Sequence, residues 1–103
     1  MKVIWSELAG IALQDTSDYI FEVFGQHQQE EFLAQIEHLV DLIAANPMMG
    51  KIEPLLAGLS HPFRSFVANH YNKIIYVIDE DVIEISDFWD TRRSPSALIA
   101  RLS

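Results

Sequence analysis

Two periodicities divide the chain. In the first half apolar residues recur at helical spacing, and in the second they alternate. Lys2 to Trp5 is a short β-branched and aromatic run that predicts a first strand. Ser6 can cap a helix, with Glu7 in its first turn near the positive end of the helix dipole. Leu8, Ala12, Tyr19, Ile20, Val23 and Phe24 then recur at roughly helical spacing, and Gly25 supplies the stop. A second helix is expected from about Gln28. Its stripe is Phe32, Ile36, Leu39 and Ile43, and Asn46-Pro47 ends it, because the residue before proline avoids helical geometry. A loop this short makes the two helices an antiparallel pair.

Between Met48 and Pro62 the signals are turns: Gly50, Pro54, Gly58 and Pro62. Beyond them Phe63 to Ala68 reads as a strand and Asn69-His70 as a turn. Lys73 to Asp79 and Val82 to Trp89 read as two strands of a hairpin with an acidic tip at Glu80-Asp81. Ser94 caps, and Pro95 opens, a short closing helix to Leu102. The predicted order is β-α-α-β-β-β-α. This is an α+β fold with a small antiparallel sheet, a helical hairpin packed on one face and the other face partly open.

The 103 residues indicate a single domain, 1–103, with one core. Half of them are hydrophobic and about a fifth are charged, as in a soluble globule. No apolar run approaches the roughly 20 residues that span a membrane, and MKVIWSEL does not read as a signal peptide. The absence of cysteine excludes disulfides and thiolate chemistry and fits a cytoplasmic protein. The net charge of -8 is uneven: residues 1–46 hold one base, Lys2, against eight acids, and residues 47–103 are nearly balanced. Only the second half could approach a nucleic acid without strong repulsion.

Most familiar chemistries find no support. His27, His38, His61 and His70 include no pair at ligand spacing, and Asp79-Glu80-Asp81 lacks the glycine and distant glutamate of a calcium loop. No metal or cofactor is expected. There is no Gly-x-Ser-x-Gly turn and no phosphate loop. What remains is Glu53, Arg64, Lys73, Arg92 and Arg93, all in the sheet half. These cations could converge on one face, as a phosphodiester-cleaving site would want: cations for the transition state, a carboxylate as base and an acid for the leaving oxygen. The purely structural alternative pairs Arg64 with Asp79 or Asp87 across the sheet, and Arg93 with Asp90 or a helix C-terminus.

The opening KVIWSELA, the helix pair, NPMMG, FRSFV, NKIIYVID and finally DFWDTRRSP occur in an order and spacing that resemble the RelE/ParE superfamily of type II toxin–antitoxin toxins, also described as plasmid stabilisation proteins. The resemblance covers essentially the whole chain. It implies a small antiparallel sheet with a helical hairpin. It also implies one of two activities, mRNA cleavage on the ribosome in the RelE-like branch or poisoning of DNA gyrase in the ParE-like branch. A cognate antitoxin neutralises either.

Carried over residue by residue, the ribonuclease pattern makes Glu53, in Glu53-Pro54-Leu55, the general base, with Lys73, Arg64 and Arg92 steadying the transition state. Lys73 stands where those members have arginine, which keeps the charge but loses the fork. Asp90, Thr91 and Arg92 stand where they have a leaving-group histidine or tyrosine, and none is a good general acid near neutral pH. The ParE-like pattern fits better: Arg64-Ser65 in the first strand after the turns, then Trp89 leading to Arg92-Arg93-Ser94-Pro95, with Asp90 in place of a frequent histidine. The resemblance thus assigns target or partner binding to Arg64, Trp89, Asp90, Arg92 and Arg93. The leading expectation is a toxin that inhibits gyrase by binding, with an mRNA endonuclease as the alternative and a non-toxic binding module of the same fold as a third. Antitoxin is the expected partner, and an apolar strand edge or helix face leaves room for a homodimer.

Overall fold

The computed structural model describes residues 1–103. Strand β1 (Lys2–Trp5) leads into α1 (Glu7–Phe24) and α2 (Gln26–Ala45). Then come a two-residue strand β2 (Lys51–Ile52), a 3-10 turn over Pro54–Leu56, β3 (Arg64–Val67), β4 (Asn72–Asp79), β5 (Val82–Asp90) and α3 (Pro95–Leu102). The five strands form one sheet in the order β1-β5-β4-β3-β2. All neighbours are antiparallel except β1, which runs parallel to β5. No helix is long and apolar enough to cross a membrane.

The expected order of elements is correct, with two additions and a few shifted ends. The sequence signals missed β2 and the 3-10 turn, because two residues are too few to show a period. The second helix starts at Gln26 rather than Gln28, because Gly25 serves both helices. Its φ of 92° closes α1, where its N–H donates to the Phe21 carbonyl, and reverses the chain at once. At the other end of α1, Ser6 Oγ accepts from the Ala9 N–H at 3.1 Å and donates to the Ser86 carbonyl at 3.1 Å. One hydroxyl thereby caps the helix and ties it to the sheet.

The tie falls on a register break. Ile75 faces Asp87 while Tyr76 faces Ile85, so Ser86 is an extra residue on β5. The break moves every later side chain to the other face. Ile83 and Ile85 point into the main core with Phe32, Ile36, Ile43, Ile74 and Tyr76, and so does Phe88, three residues after Ile85. Asp87 and Trp89 are thereby turned to the opposite face. There Leu56, Phe63, Ile75, Trp89 and Leu98 form a smaller core under α3 and the 3-10 turn. The second face is therefore more covered than expected.

Candidate functional site

The residues singled out by sequence do not converge on one site; they fall into three places. Glu53 follows β2 and accepts at the start of the 3-10 turn, its Oε2 taking the Leu55 N–H at 3.2 Å. Its other oxygen takes the Lys73 ammonium at 2.6 Å. Only 1% of Glu53 is exposed. Burial pushes its carboxyl up, but the hydrogen bond from Lys73, the Leu55 N–H, the Lys73 charge and Ser65 together hold it below the usual carboxylate range. A general base has to reach the proton it takes. Glu53 has both oxygens engaged inside the second face, and its basicity is lowered.

Arg64 lies on the other face. It is the cross-strand partner of Tyr76, whose side chain belongs to the core under the helical hairpin. Its guanidinium donates to the Gly50 carbonyl at 2.7 Å. The Gly50 N–H in turn donates to the Tyr76 hydroxyl at 2.9 Å, and that hydroxyl donates to the Pro47 carbonyl at 2.7 Å. A Cβ on Gly50 would come within 2.5 Å of the Tyr76 oxygen, so only glycine lets the NPMMG loop lie on this ring. Arg64 thus pins a loop. It pairs with neither Asp79 nor Asp87, which corrects that expectation.

The third place is the corner where β5 leaves the sheet. Asp90 grips Arg92 with both oxygens, Nε–Oδ1 at 3.0 Å and Nη2–Oδ2 at 2.8 Å, and its Oδ1 also accepts the Arg92 backbone N–H. The hydrogen bond from Arg92 holds the Asp90 carboxyl below its usual range. The expected Asp90–Arg93 pair is therefore replaced by Asp90–Arg92. Arg92 lies 4.2 Å above the ring of Tyr71, and Arg93 lies 4.7 Å above that of Trp89. Arg93 makes no salt bridge. Trp89 itself is buried, so it is a seat for Arg93 rather than a contact surface. The 69–72 turn is zipped to this corner: Asn69 Oδ1 accepts the N–H groups of Tyr71 and Asn72, and the Tyr71 carbonyl accepts from Thr91 N–H and Oγ1.

Sequence reasoning missed Tyr71, the platform for Arg92. It also missed the clamp between Asp87, fully buried, and Arg101 of α3. Arg101 Nε and Nη2 reach the two Asp87 oxygens at 2.8 and 2.9 Å. The signal was available: an aspartate between Ser86 and Phe88 in a strand needs a cation, and α3 brings one. No group of three or more potential metal-ligating side chains is assembled.

A mixed five-stranded sheet with a helical hairpin on one face and a short clamped helix on the other is an α+β fold, and solved structures match it. The chromosomal ParDE TA system from P. aeruginosa is similar at a TM-score of 0.70 and 15% identity, covering 87% of this chain and 95% of that one. The YoeB/ParE toxin from Agrobacterium tumefaciens is similar at 0.59 and 15%, covering 87% and 98%. The YoeB dimer from Staphylococcus aureus is similar at 0.57 and 20%, covering 85% and 93%. A comparison with curated proteins gives no match. The sequence profile described as ParE toxin of type II toxin–antitoxin system, parDE, matches residues 3–95, so the chain belongs to that family.

Proposed function

We propose that this toxin acts by binding, in the ParE manner, with DNA gyrase as its target and a cognate antitoxin as its neutralising partner. The supporting observation is the β5 corner. Two guanidinium groups sit there on aromatic seats, Arg92 oriented by Asp90 and Arg93 free of any carboxylate. Such pre-set, exposed arginines suit a protein surface rich in acceptors. Expressed alone in a bacterium, the chain should arrest growth and reduce gyrase supercoiling. Arg92→Ala/Arg93→Ala should relieve the arrest by at least tenfold in plating efficiency while the chain stays folded, its thermal midpoint lowered by a few degrees through loss of the Asp90–Arg92 pair. Normal growth and supercoiling at high levels of the wild-type chain would defeat the reading.

A second reading draws on the one pair of expected nuclease residues that do meet, Glu53 and Lys73. It requires new message ends by primer extension after induction, lost in Glu53→Ala. The burial of Glu53 and the separation of Arg64 on the opposite face favour the binding reading.

A further inference from the structure

Beyond Ile85 the outer edge of β5 has no strand beside it, because β1 stops at Trp5. Residues of α1 and α3 flank that stretch instead, and a cleft of about 260 Å³ lies between them. Pockets that enclose a whole small ligand run to ~300–1,000 Å³, so this one has room for little more than a side chain. Leu8 and Ile11 of α1 give it an apolar wall.

Four charged side chains line the cleft, and two of them are already engaged. Asp90 is gripped by Arg92, and Arg101 clamps Asp87 through Nε and Nη2. Arg93 and Asp15 remain, neither in a salt bridge. The Arg93 guanidinium is held 4.7 Å over the Trp89 ring, and that of Arg101 lies 5.9 Å from the same ring. A guanidinium already seated on a ring has less freedom to lose on binding, and its planar fork matches a carboxylate. The Asn72 carboxamide adds N–H donors to the same cleft. The exposed Asp15 and the net charge of -8 decide which anion is accepted. Both oppose a phosphate dianion or a nucleic-acid backbone more strongly than one singly charged carboxylate. We infer that the cleft beside β5 is a subsite for one aspartate or glutamate side chain of the toxin's protein target. Arg93 and Asn72 hold the carboxylate, Leu8 and Ile11 take its methylenes, and Asp15 limits the affinity. The inference rests on the binding reading above and adds the chemical class of the group recognised.

NMR titration of the purified, nitrogen-15-labelled chain tests it with three probes: N-acetylglutamate α-amide, its uncharged glutamine counterpart and inorganic phosphate. The glutamate probe should give saturable shifts at Arg93 Nε–H and the Asn72 carboxamide. Arg93→Gln should raise its Kd at least tenfold, and Arg93→Lys at least threefold through loss of the fork. Asp15→Asn should lower the Kd at least twofold, while Lys51→Gln, a remote exposed cation on β2, leaves it unchanged. Equal shifts from the glutamine probe, tighter binding of phosphate, or a Kd indifferent to both Arg93→Gln and Asp15→Asn would overturn the inference. In cells, Arg93→Gln should relieve growth arrest and Asp15→Asn deepen it. Arrest indifferent to Arg93→Gln would overturn the assignment of the cleft to the target. Absence of arrest by the wild-type chain would defeat the toxin reading itself, and it is seen apart from the titration.

Discussion

Glu53, which the sequence offers as a general base, is a buried carboxylate whose two oxygens are both engaged within the fold. Its oxygens are shared between Lys73 and the Leu55 N–H, and little of either side chain reaches solvent. Breaking such a pair from one side leaves an uncompensated charge, whereas replacing both partners with apolar groups of similar volume is often neutral. Lys73→Met alone should therefore destabilise by ~3 kcal/mol, at the lower end because Lys73 keeps some exposure. Adding Glu53→Leu should recover most of that loss. Urea denaturation of the two variants checks this, and growth arrest by the double variant should persist. Loss of arrest in a stable double variant would return Glu53 to the functional set.

Among the elements, α3 has the most conditional attachment. It is eight residues long, too short to be stable alone, and it docks through buried Leu98 and the Arg101–Asp87 clamp. Leu98→Ala should cost ~2–5 kcal/mol. Arg101→Met should cost about as much by stranding the Asp87 charge, and Arg101→Lys less, since it keeps the charge without the fork. Chemical denaturation of the three variants gives the order. The same element shows what was legible in sequence. Ser94-Pro95 announced where α3 begins, and the helical and alternating periods announced all the longer elements. The extra residue at Ser86 was not announced by either period, although the step from Ile85 to Phe88 carries it. Without that step the face of Asp87 is assigned wrongly, and its partner in α3 cannot be guessed. The candidate site suffered in the same way: alternation orders the faces within β3 and within β4, but only the register of Arg64 with Tyr76 and of Lys73 with Trp89 puts the two cations on opposite faces.

For the molecule as a whole, the carboxylates set the pH response. At neutral pH the net charge of -8 opposes compaction, most strongly along the helical hairpin. Mild acid removes part of that repulsion. Glu53 and Asp90 behave differently, because their folded carboxyls titrate below the ordinary range. Their contribution is present above the unfolded carboxylate range and is lost as pH falls through their lowered folded values. Stability followed by circular dichroism and urea should thus hold or rise slightly from pH 7 to about 5 and fall steeply below the ordinary carboxylate values of about 4. A monotonic loss beginning at pH 7 would contradict this assignment.

The parallel pairing of β1 with β5 has a consequence for synthesis. Ser6 and its partner Ser86 are 80 positions apart, so the pairing of the first strand and the tie from the α1 cap to the sheet wait for the last strand. At ordinary elongation rates of ~5–20 residues per second, that wait is on the order of 4–16 s. During it the nascent chain has its helices but neither the seat of its first strand nor the corner that carries Arg92 and Arg93. The corner proposed as the target-binding surface is therefore the last part of the sheet to be made, and it is assembled only when translation is nearly complete.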